Sequence, residues 1–334
     1  MTETQAVAVL GSSKEPLVSF HFISDLPQYK GEKLYEIWRD TEPGIAKSNC
    51  EFALVEHVKL QDMRNANTEF EFDTTGFRSV HAPSKSGLRG ADCQNEGHNA
   101  RLDAYLQECI SLAKSQFNAS NVICFDWRYR RSNGQKDIKV YDHTQPERTN
   151  ALNAAYVVHF GRQSLSGVAL VIRIDIPADD SRNGGNNRLR RYLSEKELER
   201  FDRGEQRIRF VNIWRPLIPV VEAAPLALCD RQSVHPDDIL ECDKIHDDHV
   251  GEGLYIKYRP WHRWYWLPHQ TNDEALMFLT WDSKWDPEVP AGPPHAAFEN
   301  PLAPASCPQR QSIEVRLMVF TEETRKHAED EGTK

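Results

Sequence analysis

Past residue 154 the chain is a succession of short apolar segments separated by Pro and Gly: 155–160, 168–176, 207–215, 226–229, 254–258, 262–267, 274–281 and 312–320. Their length and punctuation are those of strands. Nearer the N-terminus, Leu17–Ile23 alternates polar and apolar residues, Val122–Asp126 is strand-like, and 70–73 with 76–80 reads as a hairpin across Thr74-Thr75. Two stretches have helical spacing. Ala100–Phe117 aligns Leu102, Tyr105, Leu106, Ile110, Leu112 and Ala113 along one face, and 188–203 interrupts the strand series. Many short strands with few helices predict a mainly β fold, a sandwich or barrel core with a helical flank. There is no internal repeat and no clear linker. One domain over 16–321 is therefore expected, between a disordered 1–15 and a disordered charged tail, 322–334.

Charge and cysteine usage narrow the function. The net charge of −9 and the lack of a basic stripe exclude an ordinary nucleic-acid binder. The short run Arg188-Leu-Arg-Arg191 reads as one solvated helix face. No stretch approaches the roughly 20 apolar residues of a membrane span, and the apolar Ala6–Leu10 is too short for a signal sequence. Seven cysteines, an odd number with no Cys-x-x-Cys pair, argue against a zinc site or a disulfide framework. They fit a reducing compartment, and the expected location is cytoplasmic. The sequon Asn118-Ala-Ser120 reads as a turn after a helix.

The chemistry concentrates in three places. His159 ends an apolar strand, His295 follows Pro293-Pro294, and Arg310-Gln-Ser312 opens the last strong strand. Taken singly, His159 reads as a core histidine and Arg310 as half of a salt bridge. Their order gives them another meaning. Non-haem Fe(II) sits on two His and one carboxylate on one face of the metal. An Arg fork beside a hydroxyl is a clamp for the distal carboxylate of 2-oxoglutarate. Alternation puts Ser312, Glu314 and Arg316 on one face of the last strand, so Arg316 joins the candidate cofactor-binding set. Trp261-His-Arg-Trp-Tyr-Trp266 and Asn212-Ile-Trp-Arg215 supply candidate pocket residues for a small-molecule substrate, Trp214, Arg215 and Trp264, and a candidate catalytic residue, Tyr265. His262 is a rival ligand or a catalytic group. Arg215 is expected to hold a carboxylate such as Asp230, and Asp273 and Glu274, facing opposite ways, a cap or turn role.

Several segments resemble the fungal AsaB-type hydroxylase/desaturase family, related to the CmcJ component of cephamycin methoxylation. They include Gly76-Phe77, Phe125-Asp126…Arg131, Asn212-Ile-Trp-Arg-Pro-Leu217, Pro225–Val234 and His262-Arg-Trp-Tyr265. Asp273-Glu-Ala-Leu276, Asp282-Ser283, Pro294-His295-x-Ala297-Phe298 and Arg310-x-Ser-Ile-Glu-Val-Arg316 complete the series, in order over roughly 70 to 320. The resemblance implies a double-stranded β-helix (jelly roll, cupin-like) and Fe(II)/2-oxoglutarate chemistry in secondary metabolism, with His159 and His295 as metal ligands.

The family's His-x-Asp corresponds here to His159-Phe160-Gly161, so the ligand acid is missing. An insertion, about 168–186, follows it. Three readings are open. An external anion such as chloride fills the slot, as in iron halogenases of related fold that carry Ala or Gly there. A carboxylate from the insertion, Asp175, Asp179 or Asp180, reaches in. Or the metal is lost, leaving a non-redox cyclase or isomerase, or a non-catalytic binding protein.

Overall fold

The computed structural model describes residues 15–94, 99–133, 152–160, 192–247, 250–284, 286 and 288–323. Gly161, the expected strand 168–176, the three candidate aspartates and most of the expected disordered ends lie outside these residues.

Two five-stranded sheets carry the fold. The first runs β4 (Phe77–His81), β13 (Glu274–Asp282), β6 (Gln206–Pro216), β15 (Gln311–Glu322), β5 (Asn121–Arg131), with every pairing antiparallel. The second runs β1 (Leu17–Ile23), β3 (Phe52–Asp62), β11 (Trp264–Trp266), β8 (Leu226–Cys229), β14 (His295–Ala297). A three-stranded sheet joins β10 (Val250–Ile256), β9 (Ile239–Ile245) and β2 (Leu34–Ile37), and β7 (Val220–Val221) with β12 (Gln270–Thr271) makes a small ribbon. Segment 152–160 ties the second sheet together. Val157 bridges to His21 of β1, and His159 bridges to both His295 of β14 and Tyr255 of β10. The sheet thereby nearly closes on itself, giving the double-stranded β-helix with flanking helices.

Period-two alternation decides which face each residue serves. On the outer face of the first sheet, Ile313, Val315, Leu317, Val211 and Ile213 pack with Tyr105, Cys109 and Ala113 of α1 (Ala100–Phe117). Those three helical residues are spaced i, i+4, i+8, one stripe of a straight helix. Asn99 caps α1 through its side chain, and Asn118, in the left-handed region at φ 49°, ends it. The sequon is thus the turn after a helix. The helix expected over 188–203 is described as α2 (Glu195–Asp202), opened by a reciprocal Ser194–Glu197 capping box. Its Leu198 and Phe201 pack beside Phe210 and Phe320.

The hairpin expected at 70–80 does not form. Residues 72–75 turn, Gly76 takes φ 89°, and β4 pairs with β13 instead. The two phenylalanines pack elsewhere: Phe70 stacks on Phe77, and Phe72 on Phe117. Side-chain burial outcompetes the local pairing that the alternation suggested.

Candidate active site

His159 and His295 are brought together. Their segments exchange both backbone hydrogen bonds, His159 N–H to His295 O at 3.2 Å and His295 N–H to His159 O at 2.9 Å. The ring centroids stand 4.6 Å apart at 54°. Each ring donates from Nδ1 to the carbonyl two residues back, His159 to Val157 at 2.8 Å and His295 to Pro293 at 3.1 Å. A neutral imidazole fixed this way carries its lone pair on Nε2, the form a metal binds. Burial, then the neighbouring His295, pushes His159 down to about 3, and burial likewise lowers His295. Both are therefore neutral at physiological pH. Two features seat His295. The Phe278 ring packs against it at 4.7 Å, and Gly292 lies so close to the Leu279 carbonyl that a Cβ would collide with it.

The inner face of β15 lies alongside. Arg310 is 2 % exposed and Ser312 1 %. Arg310 donates one hydrogen bond from Nη1 to Ala224 O at 2.8 Å, but its Nε and the Ser312 hydroxyl are buried without a partner. Burial, then Arg130, pushes the Arg310 guanidinium down to about 9, which leaves it cationic at neutral pH. A buried cation and a hydroxyl with unmade hydrogen bonds need an anion that accepts from both. The chemistry of the donor set thus fits a dicarboxylate beside two metal-ready imidazoles.

Charged groups that the sequence reading did not single out line the same face. Across from Ser312, Glu314 and Arg316 on β15 stand Arg130, Arg128 and Asp126 of β5. Glu314 is buried. Burial raises its pKa, but Arg316, Arg130 and His295 outweigh burial and hold it at about 2, ionised. The signal was present in Asp126-Trp-Arg-Tyr-Arg130, a charge at every second position of a strand whose other face, Trp127 and Tyr129, packs under α1.

The other expected residues divide by face. Trp214 and Tyr265 belong to one inner cluster with Leu228 and Phe278. The Tyr265 hydroxyl reaches Thr68 Oγ1 at 3.4 Å. Trp264 does not join them. It stacks on Phe20 at 4.8 Å on the opposite face, as the neighbour of Tyr265 in a strand must. Arg215 likewise points away from Trp214, donating to Tyr105 Oη of α1 at 3.2 Å and to Asn272 O at 2.6 Å. Asp230, its expected partner, pairs with Arg263 at 2.6 Å instead. Arg316 is occupied by two carboxylates, Glu314 at 2.9 Å and Asp126 at 3.1 Å, so its fork braces these neighbours. His262 is held apart from the histidine pair, its Nε2 3.3 Å from Asp238, which also binds Arg259. Glu274 has a turn role, bound by Arg64 and by the Thr271 backbone.

A family described as an oxidoreductase/YMDC permease-like domain matches residues 20–320. Among known proteins, the chain is 25% identical to the Fe(II)/2-oxoglutarate-dependent dioxygenase nvfI of Aspergillus novofumigatus, over 85% of this chain and 91% of that protein. It is 26% identical to the hydroxylase/desaturase efuI of Hormonema carpetanum, over 80% and 84%. To the hydroxylase/desaturase asaB of Aspergillus flavus it is 38% identical, over 34% and 55%. A solved structure of the iron and alpha-ketoglutarate-dependent endoperoxidase NvfI superposes with a TM-score of 0.72 at 22% identity, covering 93% of this chain and all of that one.

Proposed function

Because the chain belongs to the oxidoreductase/YMDC permease-like family, we propose that it is a non-haem Fe(II)/2-oxoglutarate-dependent oxidoreductase of the hydroxylase/desaturase type, acting on a small secondary metabolite. The observation that carries this reading is the pairing of two neutral, Nδ1-anchored imidazoles with a buried arginine and serine whose donors are unmet. His159 and His295 would hold the iron through Nε2. Arg310 and Ser312 would bind the distal carboxylate of 2-oxoglutarate. Bound iron would supply the oxidising chemistry by activating dioxygen, whose four-electron reduction would take two electrons from 2-oxoglutarate, released as succinate and carbon dioxide, and two from the substrate. The protein's own work is to hold both imidazoles in one tautomer, keep them unprotonated, and neutralise the dicarboxylate with Arg310. The Trp214–Tyr265 cluster forms the apolar floor for substrate.

Support for the chemistry comes also from the relatives, several of which are named as hydroxylases, desaturases or 2-oxoglutarate-dependent dioxygenases. The free cysteines suit a reducing compartment such as the cytoplasm, and among the described residues no helix is long and apolar enough to cross a membrane. Gly161 favours one variant of the reaction, in which a halide occupies the ligand slot and is transferred to the substrate.

The test is calorimetry of 2-oxoglutarate. A charge-assisted hydrogen bond contributes about 1.5–3 kcal/mol, so Arg310→Ala is expected to weaken binding by about tenfold or more. Equal affinity in the two proteins would reject the clamp. An absence of 2-oxoglutarate binding in the unaltered protein would move the function to non-redox chemistry.

A further inference from the structure

Away from the histidine pair, two thiols face each other across the three-stranded sheet. Cys50 Sγ and Cys242 Sγ stand 3.6 Å apart, although 192 residues separate them in sequence. Cys242 lies in β9 and is fully buried, whereas Cys50, just before β3, is partly open to solvent. Around them is a closed polar group. Lys244 donates to Glu36 at 2.6 Å and to Tyr255 Oη at 2.7 Å, Tyr255 donates to Glu36 at 2.7 Å, and Trp38 Nε1 donates to Glu36 at 3.1 Å.

We propose that Cys50 and Cys242 are a site of reversible oxidation, closing to a disulfide when the protein meets hydrogen peroxide. The accessible Cys50 attacks the peroxide, giving a sulfenic acid and one water. The Cys242 thiol then displaces the second water, so the two thiols lose two electrons and two protons to one peroxide. The asymmetry suits these roles. The hydrogen bond between the two sulfurs lowers the pKa of Cys50, whereas that bond together with burial raises Cys242. An attacking thiol needs its thiolate and access, while a resolving thiol needs only proximity. The sulfurs must approach from van der Waals contact to a bond of about 2.05 Å, a small movement.

A metal held by Glu36, Cys50 and Cys242 is the competing reading, since their ligand atoms lie within 4.8 Å of one another. The local geometry favours the disulfide. Both Glu36 oxygens are already engaged, and the Lys244 ammonium sits where it would repel a cation. The site also touches the proposed centre: Cys242 packs in one cluster with Val157 and Tyr255, and the Val157 carbonyl anchors His159.

The experiment treats the full chain with hydrogen peroxide under native conditions, then maps peptides with and without a thiol reductant. The expected result is a Cys50–Cys242 linked peptide, two hydrogens lighter than the sum of its halves, a fall of two in the thiol titre, and full reversal by dithiothreitol. In Cys242→Ser, Cys50 should stop at the sulfenic acid and be trapped by dimedone, and in Cys50→Ser no link should form. Oxidation falling first on Cys307 or Cys124, with 50 and 242 still reduced, would overturn the proposal. So would protein purified without chelator that carries one zinc per chain and loses it in either variant.

Discussion

At Arg310 and Ser312 hydrogen-bonding atoms are buried with nothing to bond. Leaving such atoms unmet costs about 1–3 kcal/mol each, and a fold that retains both is expected to recover that energy by binding. Gly161 is the complementary case, a missing group where the resemblance expects an acid. If a halide takes its place, turnover should require chloride or bromide, the product should carry the halogen, and Gly161→Asp should abolish halogenation. Product masses across a halide series check this. Turnover indifferent to halide, with Asp175→Ala, Asp179→Ala or Asp180→Ala losing iron, would assign the ligand to the insertion instead.

At the scale of elements, the sequence showed most of the strands but not always their sides. The long strands β6, β13 and β15 lie within two residues of their expected bounds because each carries apolar residues along most of its length: Ile208, Phe210, Val211, Ile213 and Trp214 in β6, Ala275–Leu279 in β13, and Ile313, Val315 and Leu317–Phe320 in β15. β3 was missed because a bulge at Glu56-His57 interrupts its alternation and His57 sits at φ 62°. β9 and β2 were missed because they are half-buried strands with mixed polarity. The histidine pair was legible from the order of His159, His295 and Arg310 together with the family resemblance. The errors at Trp264 and Arg215 came from reading neighbours in one strand as one pocket, when alternation sends Trp214 inward and Arg215 under α1. That assignment has a consequence. Arg215→Met strands the Tyr105 hydroxyl and the Asn272 carbonyl, and should lower stability by about 1–3 kcal/mol in urea unfolding. Its affinity for 2-oxoglutarate should stay unchanged. Weakened 2-oxoglutarate binding at full stability would return Arg215 to the site.

For the whole molecule, the buried charges set an acid limit. His159 in the folded chain titrates at about 3, against an ordinary 6.5, so the unfolded chain binds a proton that the folded chain refuses between those values. Stability therefore rises with pH across that window, and His295 acts in the same direction. Glu314, held at about 2 against 4.5, adds stability above 4.5 that is lost as pH falls toward 2. Thermal unfolding followed from pH 7 to 4 should show a falling midpoint beginning near 6.5. His159→Asn, which keeps the shape and removes the titration, should flatten the upper part of that slope. An equally steep slope in the variant would place the acid sensitivity elsewhere.

Whether one iron sits between His159 and His295 is decided by iron stoichiometry measured under anaerobic conditions. Protein loaded with Fe(II) and 2-oxoglutarate, then desalted, should retain one iron per chain, and His159→Ala and His295→Ala should each retain essentially none while remaining folded by circular dichroism. Iron that fails to bind the unaltered protein, or binds both variants as well as it binds the original, would contradict the account.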